Sequence, residues 1–183
     1  MENFDLQKVF NLIDRYARLT FLVRILTSQA TKSAEEFNSN VFDIDFNKLG
    51  LSEEAARVLS ASPNIVNLKR YHDEIFKLAE EACTLIFGHL TKLSNEDKIA
   101  VKEYVDNMVA NCLTEIGKLQ DEYFGLVVEI DQSTKEENNA RTRALGKKAK
   151  ISFNKLYEYN TICQNYSNIS SYLRGMISNR TFK

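Results

Sequence analysis

The chain has 183 residues, is 44% apolar and 27% charged, and carries a formal charge of −1, the balance of an ordinary soluble protein of one domain. Cys83, Cys112 and Cys163 are odd in number and have no tight spacing. They exclude a disulfide framework or a Cys-based zinc site and read as buried thiols in a reducing compartment. The acidic start, Met1 to Asp5, lacks a basic leader region, and the apolar run Leu19 to Leu26 is interrupted by Arg24. The expectation is therefore a cytoplasmic protein without a membrane span.

One proline and six glycines suit long uninterrupted helices. The first is predicted over 4–37, on a seam of Val9, Leu12, Tyr16, Leu19, Val23, Leu26, Ala30, Ser33 and Phe37. Phe10, Ile13, Leu22 and Ile25 widen that seam. Residues 38–51 break the period. Val41, Phe42, Ile44, Phe46 and Leu49 are expected to fold back over the open end of a bundle, and Gly50 to turn the chain. Ser52, followed by Glu53 and Glu54, caps a short helix over 53–60.

Ser62-Pro63 signals the next helix start, and 63–93 is read as one helix. It is apolar on more than one face over 75–90 and so is expected to be the most enclosed. Ser94 caps a helix over 95–130, the organising element. Val105, Val109, Cys112, Ile116, Leu119, Tyr123, Leu126 and Ile130 form an unbroken seam of about four heptads. Met108, Leu113, Phe124 and Val127 broaden it. A turn is predicted near 131–139, where Ser133 and Glu136 match a capping box, with a continuous helix as the competitor. The last helix, 140–178, carries the stripe Leu156, Tyr159, Ile162, Cys163, Tyr166, Ile169, Leu173, Met176 and Ile177.

Four helices of these lengths would each span about 45–58 Å, and short connections make neighbours antiparallel. The fold expectation is all-α: an elongated antiparallel four-helix bundle of coiled-coil-like helices, in one domain over 1–183, with a short capping segment.

Charge is unevenly spread. Residues 1–134 hold 14 basic and 22 acidic side chains, against 10 basic and 3 acidic over 135–183. The basic run Arg141, Arg143, Lys147, Lys148, Lys150 and Lys155 contains no acid. It is the candidate polyanion-binding face, through phosphate contacts that salt would weaken. The plainer reading pairs it with Glu115, Asp121, Glu122 and Glu129 on the preceding helix, since charges beside a seam set helix orientation.

Catalytic motifs are poorly represented. Asp43, Asp45, Asn47 and Glu54 have the spacing of four calcium-loop ligands, but Lys48 stands where the turn needs glycine. His72 and His89 follow Lys69 and Ile86 by three residues, so the Glu-x-x-His pairs of a di-iron bundle are missing. No glycine-rich phosphate loop is present. Tyr159, Tyr166 and Tyr172 fit core packing better than base stacking.

These readings name no catalytic, metal or cofactor residue. They favour a non-enzymatic helical protein-binding module: an adaptor, an assembly subunit, or an inhibitor or immunity-type partner. It would bind another protein or itself as a homo-oligomer. The alternative is a nucleic-acid-associated accessory protein using the basic face 141–155.

Overall fold

The computed structural model describes residues 5–27 and 44–178. The described chain is all-α: α1 (Leu6–Thr27), α2 (Glu53–Ala61), α3 (Ile65–Arg70), α4 (His72–Lys92), α5 (Asn95–Lys135) and α6 (Asn139–Ser178). A single 3₁₀ turn, Phe46–Leu49, precedes α2. Helices α5 and α6 pack as one long antiparallel hairpin, and α1 and α4 pack antiparallel to each other. Helix α1 also touches both α5 and α6, so it lies between α4 and the hairpin.

That central position explains the burial of α1. Val9, Ile13, Ala17, Leu19, Phe21, Leu22 and Ile25 are all essentially inaccessible. The expected seam residues Leu12, Tyr16, Val23 and Leu26 are only partly buried and pack against the same core. A helix enclosed on two sides has no single stripe. Residues 28–37 of the expected first helix, and Val41 and Phe42 of the expected cap, lie outside the described residues. Ile44, Phe46 and Leu49 of that cap are buried in the main core.

Gly50 ends the 3₁₀ turn at φ 75°, in the left-handed region. A Cβ there would lie 2.7 Å from Nη2 and 2.8 Å from Cζ of Arg15, whose Nε donates to the Leu49 carbonyl at 2.6 Å. Gly50→Ala is expected to cost about 1–2 kcal/mol through the backbone alone. Displacing Arg15 adds to this. Arg15→Ala in the same chain should relieve only the contact portion, which a four-variant set of urea melts would separate.

The region read as one helix over 63–93 is two. Asn64, not Ser62, caps α3, accepting from the Asn67 N–H at 2.9 Å, while the Ser62 N–H closes α2 on the Val58 carbonyl. The chain breaks again at Tyr71 (φ −109°, ψ 20°), where Arg70 and Tyr71 both bond Glu54 Oε1 of α2, at 2.9 and 3.2 Å. Nor is this the most enclosed stretch. Val66, Phe76 and Leu85 are exposed because α4 packs chiefly on α1 and meets α6 at its margin, with Phe87 edge-on to Tyr172.

Ser94 caps α5 as expected, accepting from the Asp97 N–H at 3.0 Å. Lys98, almost fully buried, donates its Nζ to the Leu93 carbonyl at 2.8 Å and so ties down the α4–α5 junction. All eight expected seam residues of α5 are buried or half-buried. The helix continues past residue 130 to Lys135. Ser133 lies inside it rather than capping α6. The turn occupies 136–138, with Glu137 at φ 56° and Asn138 Oδ1 accepting from the Arg141 N–H at 3.1 Å.

Polar bonds join the hairpin arms along their length. Asp106 of α5 accepts from Ser170 Oγ of α6 at 2.5 Å and from Lys102 Nζ at 2.5 Å. The Lys102 bond, then the Ser170 bond, hold its carboxyl below the usual carboxylate range. The folded state therefore favours the ionised form. Its contribution is full above the unfolded pKa of about 3.9 and drains away as pH falls through the lower native value. Wild type should lose more stability than Asp106→Asn on acidification below about pH 5. Urea midpoints that fall in parallel for both chains would refute this assignment.

Candidate functional site

Two regions hold chemistry: a polar cluster inside the core and the far half of the hairpin. The first was not anticipated. Asp14 of α1 faces inward, and its two carboxylate oxygens each lie 2.9 Å from Tyr104 Oη of α5. Tyr166 Oη of α6 donates to Asp14 Oδ1 at 2.8 Å. One carboxylate therefore gathers hydroxyls from both hairpin arms. Burial, then the neighbouring Asp14, push both phenols well above the ordinary tyrosine range. Neither is a phenolate near neutral pH.

Arg18, one turn on, donates weakly to the Asp14 carbonyl at 3.4 Å and borders a cavity of about 240 Å³ that also meets Glu158, Asn111 and Cys112. Burial, then Cys163, push the Cys112 thiol up to about 11. A second cleft, about 670 Å³, lies between α1 and the 3₁₀ turn beside Asn11, Asp14, Arg15, Arg18, Asp45 and Lys48. Four of its charged groups are engaged: Arg15 on the Leu49 carbonyl, Lys48 with Asp45 at 3.2 Å, and Asp14 on the two tyrosine hydroxyls. The arrangement supplies hydrogen bonds that orient α1 on the hairpin. The sequence signal was the polar pair Asp14 and Arg18, four residues apart, beside Ile13 and Ala17 of the apolar stripe.

The six basic residues singled out by sequence all lie on the first half of α6. Arg141 meets Glu129 and Glu136, each at 3.7 Å. Among the described residues, Arg143, Lys147, Lys148, Lys150 and Lys155 form no ion pair within 4.0 Å. Of the four acids expected to answer them, Glu129 does so through Arg141. Glu122 instead accepts from Ser152 Oγ at 2.8 Å, and Glu115 pairs with Lys118 on its own helix at 2.6 Å.

The other residues weighed in the sequence are dispersed. Asp45 caps the 3₁₀ turn, accepting from the Asn47 N–H at 3.1 Å, Glu54 holds Arg70 and Tyr71, and Asp43 lies outside the described residues. The His72 ring lies 3.0 Å from the Asp73 carboxylate on the surface. Tyr166 is buried, Tyr159 borders the smaller cavity, and Tyr172 packs on Phe87.

The hairpin narrows toward its turn. Among the described residues, its far core is Leu126, Leu145 and Ala149 of α5 and α6, with Tyr123 and Ile130 packed around them. Several large apolar side chains there remain in water. Phe124 is 64% exposed, Val128 67%, Phe153 55% and Val127 42%, with Leu113 of α5 likewise exposed. Leu113, Phe124 and Val127 were expected to broaden the buried seam. They lie outside it because a two-helix hairpin covers only one stripe of each helix.

Among the described residues, no helix is long and apolar enough to cross a membrane. Comparison with known proteins adds no relative: no family model, no curated protein and no solved structure matches the chain.

Proposed function

We propose that the chain is a non-enzymatic helical module that binds protein, another or its own copy, through the far half of the α5/α6 hairpin. The supporting observation is the cluster of exposed large apolar side chains on two helices whose far core cluster, among the described residues, holds three buried apolar residues. Contiguous apolar surface of this kind marks interaction sites. On this reading α1, α4, α5 and α6 form one elongated bundle, the 3₁₀ turn and α2 cover part of it, and the near half braces a projecting arm.

The test compares wild type with a chain carrying Phe124→Ser, Val128→Ser and Phe153→Ser. In dilute solution thermal melts should nearly coincide, while at higher concentration self-association or capture of a specific partner disappears in the variant. The proposal fails if wild type binds neither itself nor any protein that the variant loses.

A second reading rests on Arg143, Lys147, Lys148, Lys150 and Lys155 of α6, which form no ion pair among the described residues. A polyanion, including nucleic acid, would bind them with an affinity that falls steeply with salt. Fluorescence anisotropy of a labelled oligonucleotide decides it. Salt-sensitive binding removed by Lys147→Gln, Lys148→Gln and Lys150→Gln, without loss of helicity, would favour this reading over the first.

A further inference from the structure

We propose that the exposed face of the hairpin is covered by a second copy of the same chain, the two far halves pairing about a two-fold axis that runs along the hairpin. This rests on the protein-binding reading above and names its partner.

The face belongs to one side of the hairpin. At 3.6 residues per turn, Leu113, Phe124, Val127 and Val128 fall within one third of the circumference of α5. Phe153 of α6 joins the same side, because its ring lies 5.9 Å from Tyr123, which lies 6.0 Å from Phe124. The face therefore spans both arms, as a surface that packs on another pair of helices must.

Charge selects the occupant. On the side of the apolar face, by helical position, α5 carries Asp121 and Asp131, the latter paired with Lys135 of its own helix at 2.6 Å, whereas α6 carries Arg143 and Lys150. Rotation about an axis along the hairpin sets each α5 beside the partner copy's α6 and preserves height. Those two acids then face those two bases, and adjacent helices are antiparallel. A two-fold that set α5 on α5 would bring like charges together.

The level of each residue is fixed by Glu122 on Ser152 and by Thr142 on Ser133. Asp131 therefore stands at about the height of Arg143 in the partner copy, and Asp121 within about one turn of Lys150. By helical position Asp121, Arg143 and Lys150 flank the apolar face and Asp131 continues its line beyond Val128, where such charges choose partner and orientation. A self-complementary surface is what a two-fold dimer requires.

The experiment uses the full chain in sedimentation equilibrium over micromolar concentrations. Wild type should have twice the monomer mass. Two variants reverse the border charges separately: Asp121→Lys with Asp131→Lys, and Arg143→Glu with Lys150→Glu. Each alone should dimerise at least about tenfold more weakly. An equimolar mixture should recover the dimer, because the two reversed borders complement each other. Circular dichroism melts establish that each variant is folded.

Monomeric wild type, or variants that each dimerise undiminished, would overturn the proposal. If wild type is monomeric yet captures a different protein through Phe124, the inference fails and the protein-binding reading stands. If a photo-crosslinker at position 124 instead reaches residues 28–43 of its own chain, the face is internally occupied and both fail.

Discussion

Asp14→Ala is expected to lower the unfolding free energy by about 3–5 kcal/mol. The carboxylate accepts from two hydroxyls, Tyr104 and Tyr166, and Tyr166 is wholly inaccessible. Each buried hydroxyl left without its acceptor costs about 1–3 kcal/mol. For a chain of this size the melting temperature should fall by about 10–15 °C. Tyr166→Phe removes one donor and leaves Asp14 with Tyr104, so it should cost about half as much. Combined in one chain, the two changes should be less than additive, since they act on one bond. Urea denaturation of the four chains makes the measurement. A cost below about 1 kcal/mol for Asp14→Ala would mean that water replaces the carboxylate and that the cluster does not hold α1.

The second large effect comes from comparing two phenylalanines. Phe21 of α1 is fully buried and its ring lies 6.2 Å from that of Tyr157 on α6. Phe21→Ala should cost about 3–5 kcal/mol, through lost transfer energy and the cavity left behind. Phe124 of α5 is mostly in water, so Phe124→Ala should change monomer stability by no more than about 0.5 kcal/mol. The contrast tests the layering directly. A large loss at Phe124 in dilute solution would show that this ring supports the monomer, and would remove the apolar face as an argument for binding.

The hairpin was legible because a helix paired along its whole length with one partner keeps a regular stripe. All eight seam positions from Val105 to Ile130 are buried or half-buried, as are the nine stripe positions from Leu156 to Ile177. Periodicity failed where the geometry is less simple. Helix α1 is covered on two sides, so Ile13, Ala17 and Phe21, on a row of four-residue steps, are as buried as anything on the expected seam. Helix α4 is apolar on several faces, yet Phe76 and Leu85 are exposed. Apolar content alone does not separate a core face from an uncovered one.

The core cluster was missed for a related reason. Asp14 is an ordinary surface residue by type, and it is tied to the core by the tyrosines reaching it from α5 and α6. The basic run was placed on the right helix, but helical order cannot say which acids its side chains reach. Among the described residues, Arg141 is the member of the run that meets an acid.

The position of α1 also bears on how the chain is made. Asp14 and Tyr166 are 152 residues apart, whereas the hairpin arms are joined by the turn at 136–138. At synthesis rates of about 5–20 residues per second, α1 waits about 7–30 s for its tyrosine partner to be translated. Helix α4 emerges long before that and offers Ile75, Ala79, Ala82 and Ile86 as an apolar surface. The nascent chain thus has an early companion for α1, and the Tyr166 bond to Asp14 can close only once most of α6 has been made.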